Sequence, residues 1–413
     1  MDFEITESLE VQKFRREVSA WLDEQVPDDF PRPADPRDVT YEDFLLHREL
    51  GRKLGGKRWL WPTAPVEYGG GGLSLSHGFV IDDEMNRRDL SLPPYYDPGA
   101  RYGGPVLMVW GNEEQKKKWL PRMFTGELNG WQLFTEPGCG SDLYSLKTTA
   151  IRNGDHFVMN GQKAYVGTAY DVDYWCILVR TDPEGEKRKN LGWFHMPADL
   201  PGISRSKMDL LWTDGTGGVS NIVTFDDVKV PSECLIGEEN NGYEVSLSWA
   251  ELEHGVSGNV RPNRLMERLI DYLKTAKRNG RPMAEDIDVQ DQLADTLIHA
   301  EIRRLFGVRN YWMSRNEVPV TYEGPQSSYY GKVFGLNISE NILRMLGPYA
   351  LTLDSEWDIS DGHIEADQRH SICHLHPGAT EDIQRVIMAR RLGIGREVKE
   401  RPGKLTGLVT PVD

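Results

Sequence analysis

The sequence predicts a mainly α-helical chain interrupted by a β domain: a helical N-terminal domain, a middle β-barrel or sandwich, and a C-terminal four-helix bundle. Three observations predict it. Apolar residues recur at helical spacing from about residue 8 to 125, the period shortens to that of strands from about 126 to 235, and helical spacing returns from about 240. These changes set domains at 1–125, 126–238 and 239–413, in keeping with two or three domains for 413 residues.

In the first zone Val11, Phe14, Val18 and Leu22 fall on one helical stripe, and Pro27, Pro31, Pro33 and Pro36 end that helix because proline lacks the N–H and clashes with the preceding turn. Further helices are expected around 41–55, 74–90 and 113–124, and the Gly69–Gly72 run reads as a flexible turn. In the middle zone His156–Met159, Ala164–Val166, Tyr174–Val179 and Ile222–Phe225 are short, rich in β-branched and aromatic residues, and read as strands. Asn153-Gly154-Asp155 and Asn160-Gly161 read as turns. In the last zone Val245, Trp249, Leu252 and Val256 make another stripe, and 263–277, 288–315, 326–346 and 378–396 read as bundle helices.

Composition narrows the function. With 48 basic and 64 acidic residues the formal charge is -16, which argues against binding phosphates of nucleic acid. No apolar run reaches bilayer length, and the acidic start lacks the features of a leader, so a cytoplasmic location is expected. Cys139, Cys176, Cys234 and Cys373 are far apart, as reduced thiols are. His370, Cys373, His374 and His376, with Asp367, lie in a turn-like approach to the last helix. They lack paired zinc spacing, and no metal is expected.

The densest signal is Thr135-Glu136-Pro137-Gly138-Cys139-Gly140-Ser141-Asp142, a loop whose backbone N–H groups and hydroxyls suit an anion or a polar heterocycle edge. Its bland reading is a tight turn with Ser141 or Asp142 as a cap. The loop occurs in order with Pro65-Val66-Glu67-Tyr68-Gly69-Gly70, Gly111-Asn112-Glu113-Glu114-Gln115-Lys116, Asn160-Gly161-Gln162-Lys163, Phe225-Asp226-Asp227-Val228-Lys229-Val230-Pro231, Gly237-Glu238-Glu239-Asn240-Asn241-Gly242 and Ile383-Gln384-Arg385-Val386-Ile387-Met388-Ala389-Arg390-Arg391-Leu392-Gly393. In this the chain resembles the acyl-CoA dehydrogenase family over nearly its whole length. The resemblance implies FAD, an acyl-CoA substrate oxidised to the 2-enoyl-CoA, electrons passed to an electron-transfer flavoprotein, and a homo-oligomer (dimer or tetramer) or a heterotetramer with a related subunit.

The resemblance assigns flavin contacts to Phe134, Thr135, Gly140, Ser141, Tyr165, Gly167 and Thr380, and CoA contacts to Ser141 and His254. Tyr165 stands where Trp is usual. Gly167 stands where the family has a hydroxyl near the flavin N5, with Thr168 one residue further on. Thr380 reads as the N-cap of the last helix. Where one branch of the family carries its catalytic glutamate, this chain has Gly378, which can still offer a backbone N–H to the thioester oxygen. The other branch takes its base from the first long helix of the bundle, and there the chain has Glu253. That residue lies four after Trp249, beside an apolar stripe where desolvation would raise its pKa, while Glu251 points to the opposite face. His254 replaces the usual Arg.

Two departures stand out. The Arg-x-x-Phe-Gly segment of flavin-binding interfaces has no counterpart in Ala276-Lys277-Arg278-Asn279-Gly280-Arg281-Pro282-Met283, and a Gly-Gly turn becomes Gly347-Pro348. They keep open a flavin-poor partner subunit of a heteromeric dehydrogenase. A flavin oxidase or monooxygenase is a third reading. Trp59, Trp61, Tyr95 and Tyr96 point to a bulky or cyclic acyl chain, or equally to core packing.

Overall fold

The computed structural model describes residues 6–90, 97, 99–167, 170–211, 219–255, 264–352 and 362–395, with the backbone alone at 254, 255 and 264. The chain divides into two compact units. One takes Glu7–Leu252 and the second begins at Glu253. No helix among the described residues is long and apolar enough to cross a membrane.

In the first unit, α1 (Leu9–Gln25) starts where the Ser8 hydroxyl accepts the Val11 N–H. Its stripe is buried at Val11, Val18 and Leu22, with Phe14 packed at the edge. α2 (Tyr41–Gly56) opens on a reciprocal capping box between Thr40 and Asp43. α3 (Leu75–Asn86) is tied to α1 by Arg15, which reaches Asp83 at 2.5 Å and Glu84 at 2.7 Å. α4 (Gly104–Trp110) was not expected, because Gly104-Pro105 reads as a breaker; proline is tolerated in the first turn, where its missing N–H has no partner to lose. α5 (Glu113–Phe124) has a second capping box, Asn112 with Gln115.

The structure bears on two sequence readings. The Gly69–Gly72 turn is close-packed: a Cβ at Gly70 would fall 2.2 Å from the Ala64 carbonyl oxygen, and one at Gly71 2.5 Å from that of Pro62. Trp59 is a core residue, edge-on to Phe14 and Trp21 at 5.6 and 5.5 Å, and points to no ligand. Tyr95 and Tyr96 lie outside the described residues.

Eight strands form one sheet: β1 (Gly130–Leu133), β2 (Thr149–Asn153), β3 (His156–Val166), β4 (Tyr174–Arg180), β5 (Leu191–Pro197), β6 (Ile203–Met208), β7 (Ser220–Pro231) and β8 (Leu235–Ile236). Their order is β6-β7-β3-β2-β4-β5-β8, with β1 parallel to β4. β4 is buried on both faces. Trp175, Ile177 and Val179 join a core made of strand residues, which the sheet encloses by curling over itself, while Tyr174, Cys176 and Leu178 meet Trp119, Leu120 and Trp249 from helices. Gly154, at φ 65°, turns β2 into β3. Asn160-Gly161 is no turn. It lies inside β3, where Gly161 at φ 139° marks a register shift against β7.

α6 (Gly242–Gly255) buries Val245 and Trp249 in the first unit, and the division between units falls within it. The second unit holds α7 (Arg264–Thr275), α8 (Ile287–Arg315), α9 (Glu323–Leu346), α10 (His363–Cys373) and α11 (Glu381–Arg391). α9 packs against α8, α10 and α11. α10 corrects the turn-like reading for Asp367, His370 and Cys373, while His374 and His376 lie in the turn that follows it. It is buried on two sides, Ile364 with Ser371 on one face and Ala366 with Arg369 on the other, and Arg369 is neutralised by Glu365 one turn back at 2.6 Å. Burial of that kind leaves no apolar period to read.

Asp97 is buried in the first unit and accepts N–H groups of Gly99, Ala100 and Gly130. Burial dominates these bonds and pushes its carboxyl from 3.8 to about 7. The folded chain therefore keeps a proton that the unfolded chain has released. That proton's contribution to stability is complete below the unfolded value and is lost as pH rises through about 7. Asp97→Asn should accordingly show a flatter melting temperature between about pH 5 and about pH 8 than the parent, read by thermal denaturation. Parallel curves for the two proteins would refute the buried-proton account.

Candidate active site

In the first unit the loop after β1 is held by a buried ion pair. Lys163, fully buried in β3, donates to the Phe134 carbonyl at 3.0 Å and to Glu136 Oε1 at 2.9 Å. Glu136 also accepts the N–H groups of Lys147 at 2.6 Å and Thr148 at 3.0 Å. Burial alone would raise the Glu136 pKa, but the Lys163 charge and these donors outweigh it and hold it below the usual range. The backbones of Glu136 and Cys139 exchange two hydrogen bonds, so the loop begins as a tight turn. Asp142 is engaged by Ser145 and Lys187 on the exposed side.

The same arrangement brings together Phe134, Thr135 and Tyr165, three of the expected flavin residues. The Ala164 N–H donates to the Thr135 carbonyl at 2.8 Å, which sets Phe134 and Thr135 beside Tyr165 in the backbone. A second register shift, between Lys163 and Val166, breaks the alternation of β3. Tyr165 adopts φ 59° and turns its ring outward, 59% exposed, although Lys163 two residues earlier is buried. A tyrosine held left-handed and exposed is an outlier that suggests a ligand. Gly138 and Gly140 face open space. Phe134 stands on Trp193 at 5.4 Å and Trp249 at 5.3 Å. An exposed flat ring, an open glycine loop and a rigid aromatic floor fit a planar heterocycle. Ser141 is exposed at the end of the loop, and Gly167 follows β3. Thr168 and the His254 side chain lie outside the described residues.

The second unit brings the two candidate base positions together. Gly378 has φ 62°, and a Cβ built on it would sit 3.6 Å from Glu253 Oε1. The carboxylate of one position thus lies within van der Waals contact of the place where a side chain at the other would begin. Thr380 caps α11, its hydroxyl accepting the Ile383 N–H at 3.4 Å. Buried Gln384 donates to the Gly378 carbonyl at 2.9 Å. Lys332 of α9 donates to the carbonyls of His374 and Pro377, at 2.7 and 2.6 Å. His370 and His374 line a cavity with Lys332, Arg303 and Asp367. Among the described residues, no three His, Cys, Asp or Glu side chains are placed to share a metal ion.

Sequence reading passed over four of these residues. Glu136 and Lys163 stand inside the family-like segments without an assigned role, and only their separation of 27 positions hides the pair. Lys332 and Gln384 carried a weaker signal, a polar residue on an otherwise inward helix face.

Lys163→Met should leave Glu136 as an uncompensated buried charge and cost about 3–5 kcal/mol in urea unfolding. The double variant with Glu136→Gln should cost less than the single, because it removes both charges. A double variant as damaged as the sum of the singles would exclude coupling.

The comparisons agree with one another. Family models for the acyl-CoA dehydrogenase N-terminal, middle and C-terminal domains match residues 8–127, 132–228 and 246–393. The mitochondrial isovaleryl-CoA dehydrogenase of Pongo abelii is 30% identical over 310 residues, 74% of this chain and 70% of that protein. Acyl-CoA dehydrogenase IpdE1 of Mycobacterium tuberculosis is 27% identical over 405 residues, 94% of this chain and 99% of that protein. Among solved structures, the Tcur3481-Tcur3483 steroid ACAD is 29% identical with a TM-score of 0.78, covering 96% of this chain and 100% of that one. With three consecutive domain matches and a relative at that identity and coverage, the chain belongs to the acyl-CoA dehydrogenase family of flavin-dependent oxidoreductases.

Proposed function

We propose that the chain holds FAD and converts an acyl-CoA thioester to its 2-enoyl-CoA, with Glu253 as the base that takes the α-proton. The observation that carries this is the meeting of Glu253 Oε1 with the side-chain space of Gly378. Both places from which this family draws its base lead to one point, and the Glu253 carboxylate stands there. Bound FAD would supply the acceptor for the β-hydride. Phe134, Thr135, Gly140, Ser141, Tyr165, Gly167 and Thr380 are the residues proposed to hold it, and Ser141 and His254 to meet the CoA portion.

Glu253 removes the α-proton, and the Gly378 N–H donates to the thioester oxygen as it gains charge. Gly378 suits that task. Its carbonyl is taken by Gln384, and its N–H donates to no protein atom among the described residues. The acyl group is proposed to carry a ring system, supported by the likeness to a structure named a steroid ACAD. An electron-transfer flavoprotein is the proposed electron acceptor, the assembly is proposed to be oligomeric, and the location cytoplasmic.

A second reading, a flavin-poor subunit of a heteromer, is favoured by one feature. Where flavin-binding relatives carry Arg-x-x-Phe-Gly, this chain forms a two-stranded hairpin, with Arg281 and Pro282 paired to Arg278 and Lys277. Purification of the chain alone separates the readings: a yellow protein with stoichiometric FAD supports the first, and a colourless one supports the second. Anaerobic titration of the yellow protein with an acyl-CoA panel, ring-bearing side chains included, should bleach the flavin with at least one member. Glu253→Gln should retain FAD and CoA affinity and slow bleaching by about 10²–10⁴-fold. Bleaching at the parental rate would remove Glu253 as base.

A further inference from the structure

Lys332 is a buried cation, 2% exposed, whose ammonium is spent on two backbone carbonyls of one turn. The bonds to His374 O and Pro377 O are 2.7 and 2.6 Å, at the short end for charge-assisted hydrogen bonds. The second carbonyl matters most. The Pro377 C=O and the Gly378 N–H belong to the same peptide unit, and in a trans peptide they point in opposite directions. A cation fixed on the oxygen therefore fixes the direction of the N–H.

It also changes its strength. Withdrawing density through the Pro377 oxygen makes the Gly378 N–H a better donor, by the polarisation that runs along chains of hydrogen bonds in low dielectric. On the other side of Gly378, Gln384 holds the next carbonyl at 2.9 Å, so both peptide planes flanking the residue are clamped. This clamping allows a glycine, otherwise free to rotate, to serve as a precise donor.

We propose that Lys332 is a positioning residue for the reaction, orienting and polarising the Gly378 N–H toward the thioester oxygen that Glu253 turns into an enolate. The inference rests on the roles proposed above for Glu253 and Gly378, and goes beyond them by assigning a residue that touches neither substrate nor flavin. Its effect belongs to the enolate and not to the resting thioester, because a preorganised donor counts most where charge develops.

The variant of choice is Lys332→Met, which keeps the length of the side chain. A truncation would open onto the neighbouring cavity, whose roughly 30 Å³ holds about one water that could replace the ammonium. The probe is a 3-oxoacyl-CoA, whose α-carbon ionises on the protein without any hydride transfer and whose enolate absorbs light. Its ionisation is titrated against pH on flavin-loaded parent, Lys332→Met and Lys332→Arg, beside the dissociation constant of a saturated acyl-CoA thioether that has no carbonyl to ionise.

In Lys332→Met the bound probe should ionise with its constant weakened by about 10- to 100-fold, while thioether affinity changes by less than about threefold. Lys332→Arg, which keeps a cation, should recover part of the loss. An unchanged ionisation constant, or a thioether affinity that falls by the same factor, overturns the proposal and makes Lys332 merely structural. If the methionine variant does not fold with flavin bound, Lys332→Gln is read by the same criteria. Failure of the underlying reading looks different: there the parent itself would not ease ionisation of the probe, or Glu253→Gln would bleach at the parental rate.

Discussion

Removed from water, an ammonium loses several kcal/mol of solvation, and only close partners recover it. In the first unit that constraint falls on Lys163, which is fully buried and meets Glu136 and the Phe134 carbonyl. Because these partners lie on the loop after β1, satisfying the charge also pins the loop to β3. Phe134 is then fixed over Trp193 and Trp249, and the Thr135 carbonyl reaches Ala164. Tyr165 is pushed into a left-handed turn at the register shift that follows. One desolvated charge thus sets the geometry around Phe134, Thr135 and Tyr165.

The second unit solves a similar problem in the same way. Lys332 is buried and spends its donors on the carbonyls of a turn, His374 and Pro377, before α11. A lysine suits this use better than an arginine, since three donors radiate from a compact point on a flexible stem and need not match a planar fork. In each unit a segment that needs precise backbone placement but cannot be a helix or strand is tethered to regular structure by a buried lysine. Loops that carry chemistry are otherwise the mobile parts of a protein.

Much of the fold was legible because apolar periodicity reports burial directly. The stripe of α1 could be read from spacing, and the strand β4 from its β-branched and aromatic composition. What escaped was structure whose cause is not apolar. α10 buries Arg369 and Ser371, α4 opens on a proline, and Asn160-Gly161 serves a bulge within β3 because its neighbours pair across it. Trp59 shows the converse, an aromatic residue whose ordinary packing was as good an account as any ligand. Ordered segments of the sequence brought Glu253 and Gly378 forward as separate candidates. That a Cβ built at 378 would lie 3.6 Å from Glu253 Oε1 depends on contacts between residues 125 positions apart, which no local pattern encodes. Lys163 and Lys332 were unreadable for the same reason: a buried lysine is exceptional, and only its partners reveal it.

Under the roles proposed for Glu253 and Gly378, glycine at position 378 follows from how the two tasks compete for one residue. A glutamate there would have to supply a mobile carboxylate from a backbone that must also stay rigid as a donor. At φ 62° it would also carry the strain that left-handed conformations impose on residues with a Cβ. Moving the carboxylate to Glu253, on the regular backbone of α6, removes that conflict. The turn at 378 is then free to be shaped for its N–H alone, with Lys332 behind one peptide plane and Gln384 behind the next. A position that looks like a lost catalytic residue is better understood as one relieved of a second duty. The cost of the arrangement is its dependence on two side chains from other helices to hold still what a glycine cannot hold by itself.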